Sequence, residues 1–572
     1  MIRKALVVFS MILFSSQAVC AFDYLPLKPV VNAPAVKSCR GEQTLRVPMR
    51  TSGAHVVLLD ANDYELETPD GSFFGKRGVD VRLELKNSIL DQLDDYMSCK
   101  SPIMCGTQGM LNGVADVTEA DPRTRMVAVY QHGWSNGGSA LVVRENVQTP
   151  LDLGGAKIVT QAHGPHLEYL ARILEDARKA AKEQGKAWSE PSILLCRELI
   201  GFQGHTPGRA FLEDKGVDAA FVLAPDADVL TNGGTEGTGA EGSVRGARIL
   251  LSTKSASRII SEVYVVRQDY FDANREQIRD FVSALFKAEE RARENVLKLL
   301  VEWDKVAKYL FEDAGAVDEA RGLWKNYETV GLRGNVEWST PTHPRGFVSV
   351  NNEIQSTFVD IGIMNKAYSL AMANWEYDNF SEGLFDQRRA DLPGFDDNQA
   401  ARVVQDMKQT GDLDRKTLID FDINFKPNQR TFSEEEYAQE FKRAVDFAST
   451  YGGAVLTVEG HSDPLNYLRK KAKGEPAHTL RSIRQAARNL SVNRAIQVRD
   501  AIIAFAGERG VTLDESQFVV VGNGISEPRT GMCGGDPCPP RTEAEWLSNM
   551  RVNFRIVQVE AEASVFTPPN TW

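Results

Sequence analysis

Several features that define familiar classes of protein are missing from this chain of 572 residues. It contains no P-loop for nucleotide phosphates and no His-Glu-x-x-His zinc motif. Beyond the first residues no apolar run reaches the roughly eighteen residues of a transmembrane helix, so no later segment is expected to span a membrane. The 66 lysines and arginines are outnumbered by 78 aspartates and glutamates, and the net charge of −12 argues against general nucleic-acid binding.

Cysteine is scarce as well, with seven residues in the chain. Cys20 lies in the N-terminal apolar segment, so the remaining cysteines form an even set, which suits an oxidising compartment. Two pairs are close enough in sequence to close small loops, and we predict the disulfides Cys99–Cys105 and Cys533–Cys538. A pairing of Cys39 with Cys196 stays open.

The N-terminal segment has the organisation of a secretory signal. Two basic residues precede the short apolar run Ala5–Phe14, and small residues precede Phe22. We therefore expect residues 1–21 to be removed and the mature chain to lie in the periplasm. The alternatives are a buried N-terminal helix, a membrane anchor and lipidation at Cys20, and Val19 is a poor neighbour for lipidation.

Periodicity divides the mature chain into units. From residue 44 to 375, apolar strands alternate with amphipathic helices, as in α/β domains, and the C-terminal part mixes helices with alternating strands. The predicted boundaries are a Pro-rich leader over 22–43, an α/β unit over 44–375 with a second lobe over about 151–260, a linker over 376–415, a second unit over 416–560 and a tail over 561–572. Predicted elements include the strands Leu45–Arg50, Met126–Tyr130, Lys157–Thr160, Ala219–Leu223, Val455–Glu459 and Phe518–Val521, and the helices His166–Ala177, Glu434–Thr450 and Val492–Ala506.

Short motifs in the C-terminal unit carry the sharpest signal. They are Phe421-Asp422-Ile423-Asn424-Phe425, Val458-Glu459-Gly460-His461-Ser462-Asp463, Leu490-Ser491-Val492-Asn493-Arg494-Ala495 and Asn549-Met550-Arg551-Val552. In this order they resemble the OmpA-like C-terminal domain. The resemblance implies an α+β fold that binds the diaminopimelate residue of peptidoglycan stem peptides, with Asp463 and Arg494 as the principal contacts and Ser462 and Arg551 beside them.

The chemistry of this pair suits a zwitterionic ligand. A carboxylate at Asp463 can take the ammonium group, and the guanidinium of Arg494 can take the carboxylate bidentately. Singly, a turn aspartate and a solvated arginine are the simpler interpretations, but the ordered pair favours binding. Ser462 replaces the usual threonine, and the glycine that normally follows the aspartate is missing.

An insertion over 465–489 also separates the two motifs. It is basic, and its positive charge is either a solvated helix face or a patch for anionic wall polymer or membrane headgroups. The basic residues of 465–500 are Arg469, Lys470, Lys471, Lys473, Arg481, Arg484, Arg488, Arg494 and Arg499.

The α/β unit has softer motifs. The stretch Thr149–Val159 resembles the entry to the second lobe of periplasmic solute-binding proteins, and Phe271–Arg291 is similar to a helix of their nitrate, sulfonate and taurine branch. This resemblance implies a two-lobe type II periplasmic binding protein fold with solute held between the lobes by loops at strand ends. Together the two resemblances imply an α/β protein in which that fold is followed by an α+β OmpA-like domain.

Candidate solute contacts follow from the same resemblance. They are Thr51, Ser52, Thr107, Gln108, Trp134, Ser135, Asn136, His166 and Asp226. For each of them turn or cap chemistry is an equal alternative. Gly164-Pro165-His166 opens a helix whose free N–H groups favour an anion, so we expect a small anionic solute whose affinity rises from pH 8 to pH 6 as His166 gains a proton.

Two other patterns are discounted. His163-x-x-His166 has no third metal ligand nearby, and Gly237–Gly242 matches G-x-G-x-x-G but leads into a strand rather than a helix. No metal or cofactor is expected. The sequence therefore predicts a non-enzymatic periplasmic solute-binding protein, served by an ABC-type permease and tethered to peptidoglycan. The alternative is a peptidoglycan-anchored sensor or interaction protein that uses the same fold without transport.

Overall fold

The computed structural model describes residues 22–28, 31, 33–41, 44–233, 236–240, 242–384, 397–411, 413, 417–425 and 434–557. The predicted signal segment 1–21 and the tail 561–572 lie outside these ranges. Among the described helices none combines the length and apolarity needed to cross a bilayer.

Strands and helices alternate through most of the described chain. The strands are β1 (Thr44–Met49), β2 (Asp80–Leu85), β3 (Ile103–Thr107), β4 (Met126–Ser135), β5 (Ser139–Val143), β6 (Lys157–Gln161), β7 (Ser192–Cys196), β8 (Ala219–Leu223), β9 (Arg248–Ser252), β10 (Ser261–Arg267), β11 (Tyr327–Thr329), β12 (Ala371–Met372), β13 (Thr417–Asn424), β14 (Val455–His461), β15 (Phe518–Gly524), β16 (Met532–Cys533), β17 (Asp536–Pro537) and β18 (Arg551–Val557).

The helices are α1 (Ala54–Ala61), α2 (Ile89–Met97), α3 (Gln108–Asn112), α4 (Ala115–Thr118), α5 (Leu167–Glu183), α6 (Pro207–Glu213), α7 (Ala224–Thr231), α8 (Gln268–Ala273), α9 (Arg275–Leu297), α10 (Trp303–Phe311), α11 (Val317–Lys325), α12 (Gly331–Ser339), α13 (Phe347–Asp360), α14 (Asp397–Thr410), α15 (Glu434–Thr450), α16 (Leu465–Ala472), α17 (Ala477–Gly507) and α18 (Glu543–Ser548). Short 3₁₀ turns lie at Gly75–Arg77, Pro150–Leu153, Tyr377–Phe380 and Glu515–Gln517.

The α/β unit consists of two lobes. In lobe 1 the sheet order is β11-β4-β10-β3, with β12 beside β4, and the parallel pair β1-β2 lies next to β3. In lobe 2 the order is β7-β6-β8-β5-β9. These parallel and antiparallel strands with helices on their faces confirm the predicted α/β class.

The chain crosses between the lobes twice, from β4 to β5 and from β9 back to β10. The Thr253 hydroxyl joins the two crossings by accepting hydrogen bonds from the amides of Gly137 and Ser139, each at 3.1 Å. Two adjacent connecting segments of this kind form a hinge.

The C-terminal unit is an α+β domain with the sheet order β13-β18-β14-β15. Helices α15 and α17 pack on the sheet and on each other, and α14 packs along β15. The predicted linker therefore contributes a helix to this unit, because Val404 and Met407 of α14 are buried against Val519.

The C-terminal unit also packs against both lobes. Arg172 of α5 is fully buried and pairs with three carboxylates, Asp176 of lobe 2 (2.8 Å), Glu353 of lobe 1 (2.9 Å) and Asp446 of the C-terminal unit (2.9 Å). The apolar core of lobe 2 continues into that of the C-terminal unit. The three bodies are thus held at one junction.

Several predicted features differ in the structure. Helix α17 begins at Ala477 rather than near Val492. The predicted start is too late because the first turns of the helix are exposed and show no apolar periodicity. The leader contacts lobe 2, where Leu25 forms a bridge with Leu195 of β7. The predicted Cys99–Cys105 bond is wrong: Cys99 is joined to Cys39.

The remaining cysteines follow from that pairing. Cys105 lies inside β3, and both it and Cys196 are buried and free, so Cys196 does not pair with Cys39. Cys533 and Cys538 are joined, as expected, with their Cα atoms 5.0 Å apart.

Candidate functional sites

The residues predicted to bind the wall peptide lie where α17 crosses the end of β14. Gly460 permits this close approach, because a Cβ there would overlap the carbonyl oxygen of Ser491. Ser462 fastens the crossing: its amide donates to the Gly524 carbonyl (2.7 Å) and its hydroxyl donates to the Ala487 carbonyl (3.1 Å). The hydroxyl of Ser462 therefore holds the site together.

Arg494 is the unusual group of this site. Arg494 lies in α17, one turn after Ser491, where the helix crosses β14, and the residue is only 6% exposed. Its Nε has no hydrogen-bond acceptor, and no carboxylate of the described chain pairs with it. Burial lowers its pKa, and the ring centroid of Phe425 lies 6.0 Å from the guanidinium carbon. A buried guanidinium without a counter-ion is costly, so this position favours an anionic ligand.

Asp463 follows β14 by two residues and is half-buried. One carboxylate oxygen accepts a hydrogen bond from the Leu465 amide at 3.1 Å. Burial raises the pKa of Asp463, and the neighbouring Trp546 side chain and the Leu465 amide oppose that shift. The structure forms no direct ion pair between Asp463 and Arg494, so each keeps hydrogen-bonding capacity for a ligand.

Arg551 adds a second buried guanidinium. It lies 3.6 Å from Asp422 and donates to the Glu527 carbonyl at 3.3 Å, while its Nε and Nη1 lack hydrogen bonds. Burial lowers the pKa of Arg551 to about 10. Arg529 pairs with the same Asp422 carboxylate, so two guanidinium groups share one carboxylate there.

A nearby group of possible metal ligands is already neutralised by protein cations. Glu459, His461 and Glu527 converge, but Lys408 pairs with Glu527 at 2.7 Å and Arg555 pairs with Glu459 at 3.2 Å. Burial, with the surrounding cations, lowers the pKa of His461 to about 2. These cations already supply the charge that a metal ion would bring.

The basic insertion forms a helical hairpin from α16 and the first half of α17. Lys471 and Arg484 both pair with Asp536 in the disulfide-closed hairpin β16–β17. The Tyr467 hydroxyl also donates to Asp536, at 2.8 Å. The disulfide loop therefore anchors the insertion, while its exposed cations face solvent; these are Arg469, Lys473, Arg481 and Arg488.

The residues predicted to contact solute in lobe 1 are engaged within the protein. The Thr51 hydroxyl donates to the Leu310 carbonyl (2.7 Å), and the Ser52 hydroxyl bonds to the Glu262 carboxylate. Thr107 caps α3, and the Gln108 carbonyl oxygen accepts from the Ser261 hydroxyl at 2.6 Å.

The hinge-side candidates are engaged in the same way. Trp134 is buried in the apolar core. The Ser135 hydroxyl lies 3.3 Å from that of Thr253, and the Asn136 amide donates to the Asn326 carbonyl at 2.9 Å. These partners close the cleft beside the hinge.

The lobe 2 candidates are also engaged. His166 is fully buried, with its Nε2 3.0 Å from the Ser139 hydroxyl, and burial lowers its pKa to about 3. The expected gain of a proton between pH 8 and pH 6 is therefore wrong, because the imidazole stays neutral across that range. Asp226 is buried and accepts a hydrogen bond from the Gly201 amide at 3.0 Å, while burial raises its pKa.

Glu168, in the first turn of α5, is the cleft residue that sequence reasoning missed. Its carboxylate crosses to lobe 1 and accepts hydrogen bonds from the Gly109 amide (2.8 Å) and the Ser261 amide (2.7 Å). The available signal was a glutamate on the apolar face of α5, beside Leu167 and Ala171.

A cavity of about 310 Å³ opens at the junction of the lobes and the leader. Its lining includes Leu27 and Lys28 of the leader, Asp116 of lobe 1, and His163 and Leu167 of lobe 2. Lys28 pairs with Asp116 at 2.7 Å, which neutralises both charges. The buried Nε2 of His163 has no hydrogen-bond partner, and burial lowers the pKa of this ring.

Two groups with catalytic residue types were also missed. Gly133–Gly137 matches G-x-S-x-G, but the segment leads into β5 rather than a helix. In lobe 1, His55 Nε2 lies 3.3 Å from the Cys105 sulfur beside Glu262. The Arg50 amide donates to His55 Nδ1, which places the ring proton on Nε2, facing the sulfur. That tautomer opposes both proton abstraction from the thiol and metal binding at Nε2.

No protein-family model matches the chain, and no curated protein is significantly similar to it in sequence. Solved structures do resemble it. The periplasmic aliphatic sulphonate binding protein SsuA from Escherichia coli is 15% identical, with 62% of this chain and 95% of that chain covered at a TM-score of 0.36. The periplasmic sulfonate-binding protein SsuA from Methylobacillus flagellatus KT is also 15% identical, with 62% of this chain and 100% of that chain covered at a TM-score of 0.39. The desulfurization enzyme DSZB is 15% identical, with 59% of this chain and 99% of that chain covered at a TM-score of 0.36.

Proposed function

We propose that the chain is a non-catalytic binding protein of the bacterial periplasm, fixed to peptidoglycan by its C-terminal unit. In this proposal Arg494 takes the side-chain carboxylate of a diaminopimelate residue and Asp463 takes its ammonium group. The two-lobe unit holds a small solute, delivered to an ABC-type permease. The order of the C-terminal motifs and the α+β fold of that unit support this assignment.

The observation that carries the proposal is the buried guanidinium of Arg494, for which the described residues offer no counter-ion. A solvated helix-face arginine would be exposed, and a structural one would be paired. A ligand carboxylate supplies the missing charge, and a bidentate pair at a desolvated site is strong.

A comparison of two stem peptides tests this assignment. A tripeptide ending in diaminopimelate should bind the full chain at least about tenfold more tightly than its lysine analogue, which lacks the side-chain carboxylate. Arg494→Gln should remove that preference, since the guanidinium is what recognises the carboxylate. Arg481→Gln, exposed on the same helix, should keep it. Equal affinity of the wild type for both peptides would contradict the assignment.

For the two-lobe unit, the cavity beside His163 is the proposed solute site. Its volume suits a small molecule, and its lining fits an apolar body with one polar group that reaches His163. Mass spectrometry of molecules released from the purified protein should yield such a compound. Ile363→Trp, which fills the cavity, should release none, and retention of the compound by that variant would place its site elsewhere.

A second candidate function is that of a wall-anchored sensor or interaction protein without transport. The observation that favours it is the closed cleft, in which Glu168 occupies the space between the lobes. Deletion of the neighbouring permease genes, where such genes exist, separates the two: a transport protein loses its solute flux, and a sensor keeps its response.

A further inference from the structure

The contact between Glu168 and lobe 1 has the form of a bound ligand. Glu168 is 1% exposed, and each of its carboxylate oxygens accepts one backbone N–H, from Gly109 and from Ser261. The donors belong to different segments of lobe 1, one after β3 and one at the start of β10. The acceptor belongs to lobe 2, so these two hydrogen bonds hold the lobes together.

The surroundings are built for this carboxylate. Gly109 lies so close to α5 that a Cβ there would stand 2.6 Å from the Glu168 amide nitrogen. The Ser261 hydroxyl is turned away to Gln108, which leaves its amide free for Glu168. Two converging amides in a dry site form an oxyanion cradle, and leaving them unpaired would carry a desolvation cost.

We infer that the amides of Gly109 and Ser261 form a binding site for a small carboxylate, and that in this chain Glu168 fills the site as a built-in ligand. The lobes are consequently held closed without solute. An external anion of the carboxylate class binds there only when the Glu168 side chain is removed. The inference adds regulation to the proposed role of the two-lobe unit as a binding domain, and it rests on that role.

Residues one and two turns along α5 reinforce this closure. Arg172 reaches Glu353 of lobe 1, and Asp176 accepts a hydrogen bond from the Tyr451 hydroxyl at 2.6 Å. Glu168, Arg172 and Asp176 thus form one row along the helix. The row ties lobe 2 to lobe 1 and to the C-terminal unit.

Chemical rescue tests the inference. Glu168→Ala deletes a CH₂–COO⁻ group, whose atoms acetate supplies from solution. In the full chain, this variant should show a larger radius of gyration in X-ray scattering and a lower Tm than the wild type. Acetate should reverse both changes with a saturable dose dependence, whereas acetamide at the same concentration should not, since it brings no carboxylate. Glu175→Ala, whose carboxylate pairs with Lys179 of the same helix, is the matched control and should stay closed.

Glu168→Gln provides a second variant if the alanine variant does not fold, because it keeps the shape but replaces one acceptor oxygen by an NH₂ group that faces a backbone N–H donor. Like Glu168→Ala, it should show a larger radius of gyration or a lower Tm than the wild type. A compact Glu168→Ala variant, or equal effects of acetate and acetamide, would overturn the inference. Mass spectrometry of solute released from the wild-type protein tests the proposed binding role separately. A failure of that role is therefore distinguishable from a failure of the inference about Glu168.

Discussion

At the scale of the residue, the informative groups are ionisable side chains that the fold has taken out of water. Arg172 and Arg494 are both buried arginines, but Arg172 has three carboxylate partners and Arg494 has none in the described chain. The sequence could indicate Arg494 only through its motif, because burial and pairing depend on how α17 meets β14. Likewise, Glu168 looks in sequence like one polar residue on a helix.

Replacing Arg494 by methionine should stabilise the unliganded protein. Methionine keeps much of the volume and removes a desolvated charge, so the free energy of unfolding in urea should rise by about 1–3 kcal/mol. Arg172→Met is the matched control and should be destabilising, because it strands Asp176 and Asp446. A loss of stability in Arg494→Met would mean that the guanidinium already has favourable partners.

The buried histidine His166 predicts a pH dependence of stability. Its folded pKa is about 3, while the unfolded chain takes up a proton below about pH 6.5. Acid therefore favours unfolding, and stability is lost as the pH falls from 6.5 towards 3, at about 1.4 kcal/mol per pH unit for such a group. Asp176, whose pKa burial raises to about 6, acts in the opposite direction.

Urea unfolding at pH 7 and pH 5 measures this effect. His166→Gln should reduce the difference between the two pH values by about 2 kcal/mol, and the exposed His478→Gln should leave it unchanged. An unchanged difference in His166→Gln would show that the imidazole is protonated in the folded protein.

At the scale of the element, the strands and helices predicted from hydrophobic periodicity all overlap observed ones, although they are only part of the elements in the two units. The predicted bounds of Ala219–Leu223 and Glu434–Thr450 match the structure, since their apolar residues follow the strand and helix periods. Apolar periodicity did not set the start of α17, because the first half of this helix packs little apolar surface. Proximity in sequence also misled for Cys99, because Cys105 points into the core of lobe 1.

The cysteine pairing gives a direct prediction. Peptide mapping without reduction should find Cys39 joined to Cys99, and Cys533 joined to Cys538. Alkylation should modify Cys105 and Cys196 only after unfolding, since both thiols are buried. A Cys99–Cys105 peptide would contradict the described arrangement of lobe 1.

At the scale of the whole molecule, the junction at Arg172 couples units that the sequence presents as separate domains. The sequence motifs indicated two units, but the contact between these units is made by side chains distant in sequence, and neither motif set includes them. Asp446 of the C-terminal unit and Glu353 of lobe 1 meet the same guanidinium. We therefore expect the units to unfold together.

Arg172→Ala should uncouple them. The change leaves buried carboxylates without a counter-ion and should cost about 3–5 kcal/mol. Calorimetry should show one transition for the wild type and two for the variant. Arg321→Ala, an exposed arginine of α11, is the control and should keep one transition. Two transitions in the wild type would mean that the junction does not couple the units.

The central claim is that Asp463 and Arg494 hold the chain to peptidoglycan, and co-sedimentation of the full-length protein with purified peptidoglycan tests it most directly. The wild type should pellet, and so should Asp318→Asn/Arg321→Gln, which neutralises an exposed Asp/Arg pair in lobe 1. Asp463→Asn/Arg494→Gln should stay in the supernatant, because both ligand charges lose their partners. Pelleting of that double variant to the same extent as the wild type would contradict the account.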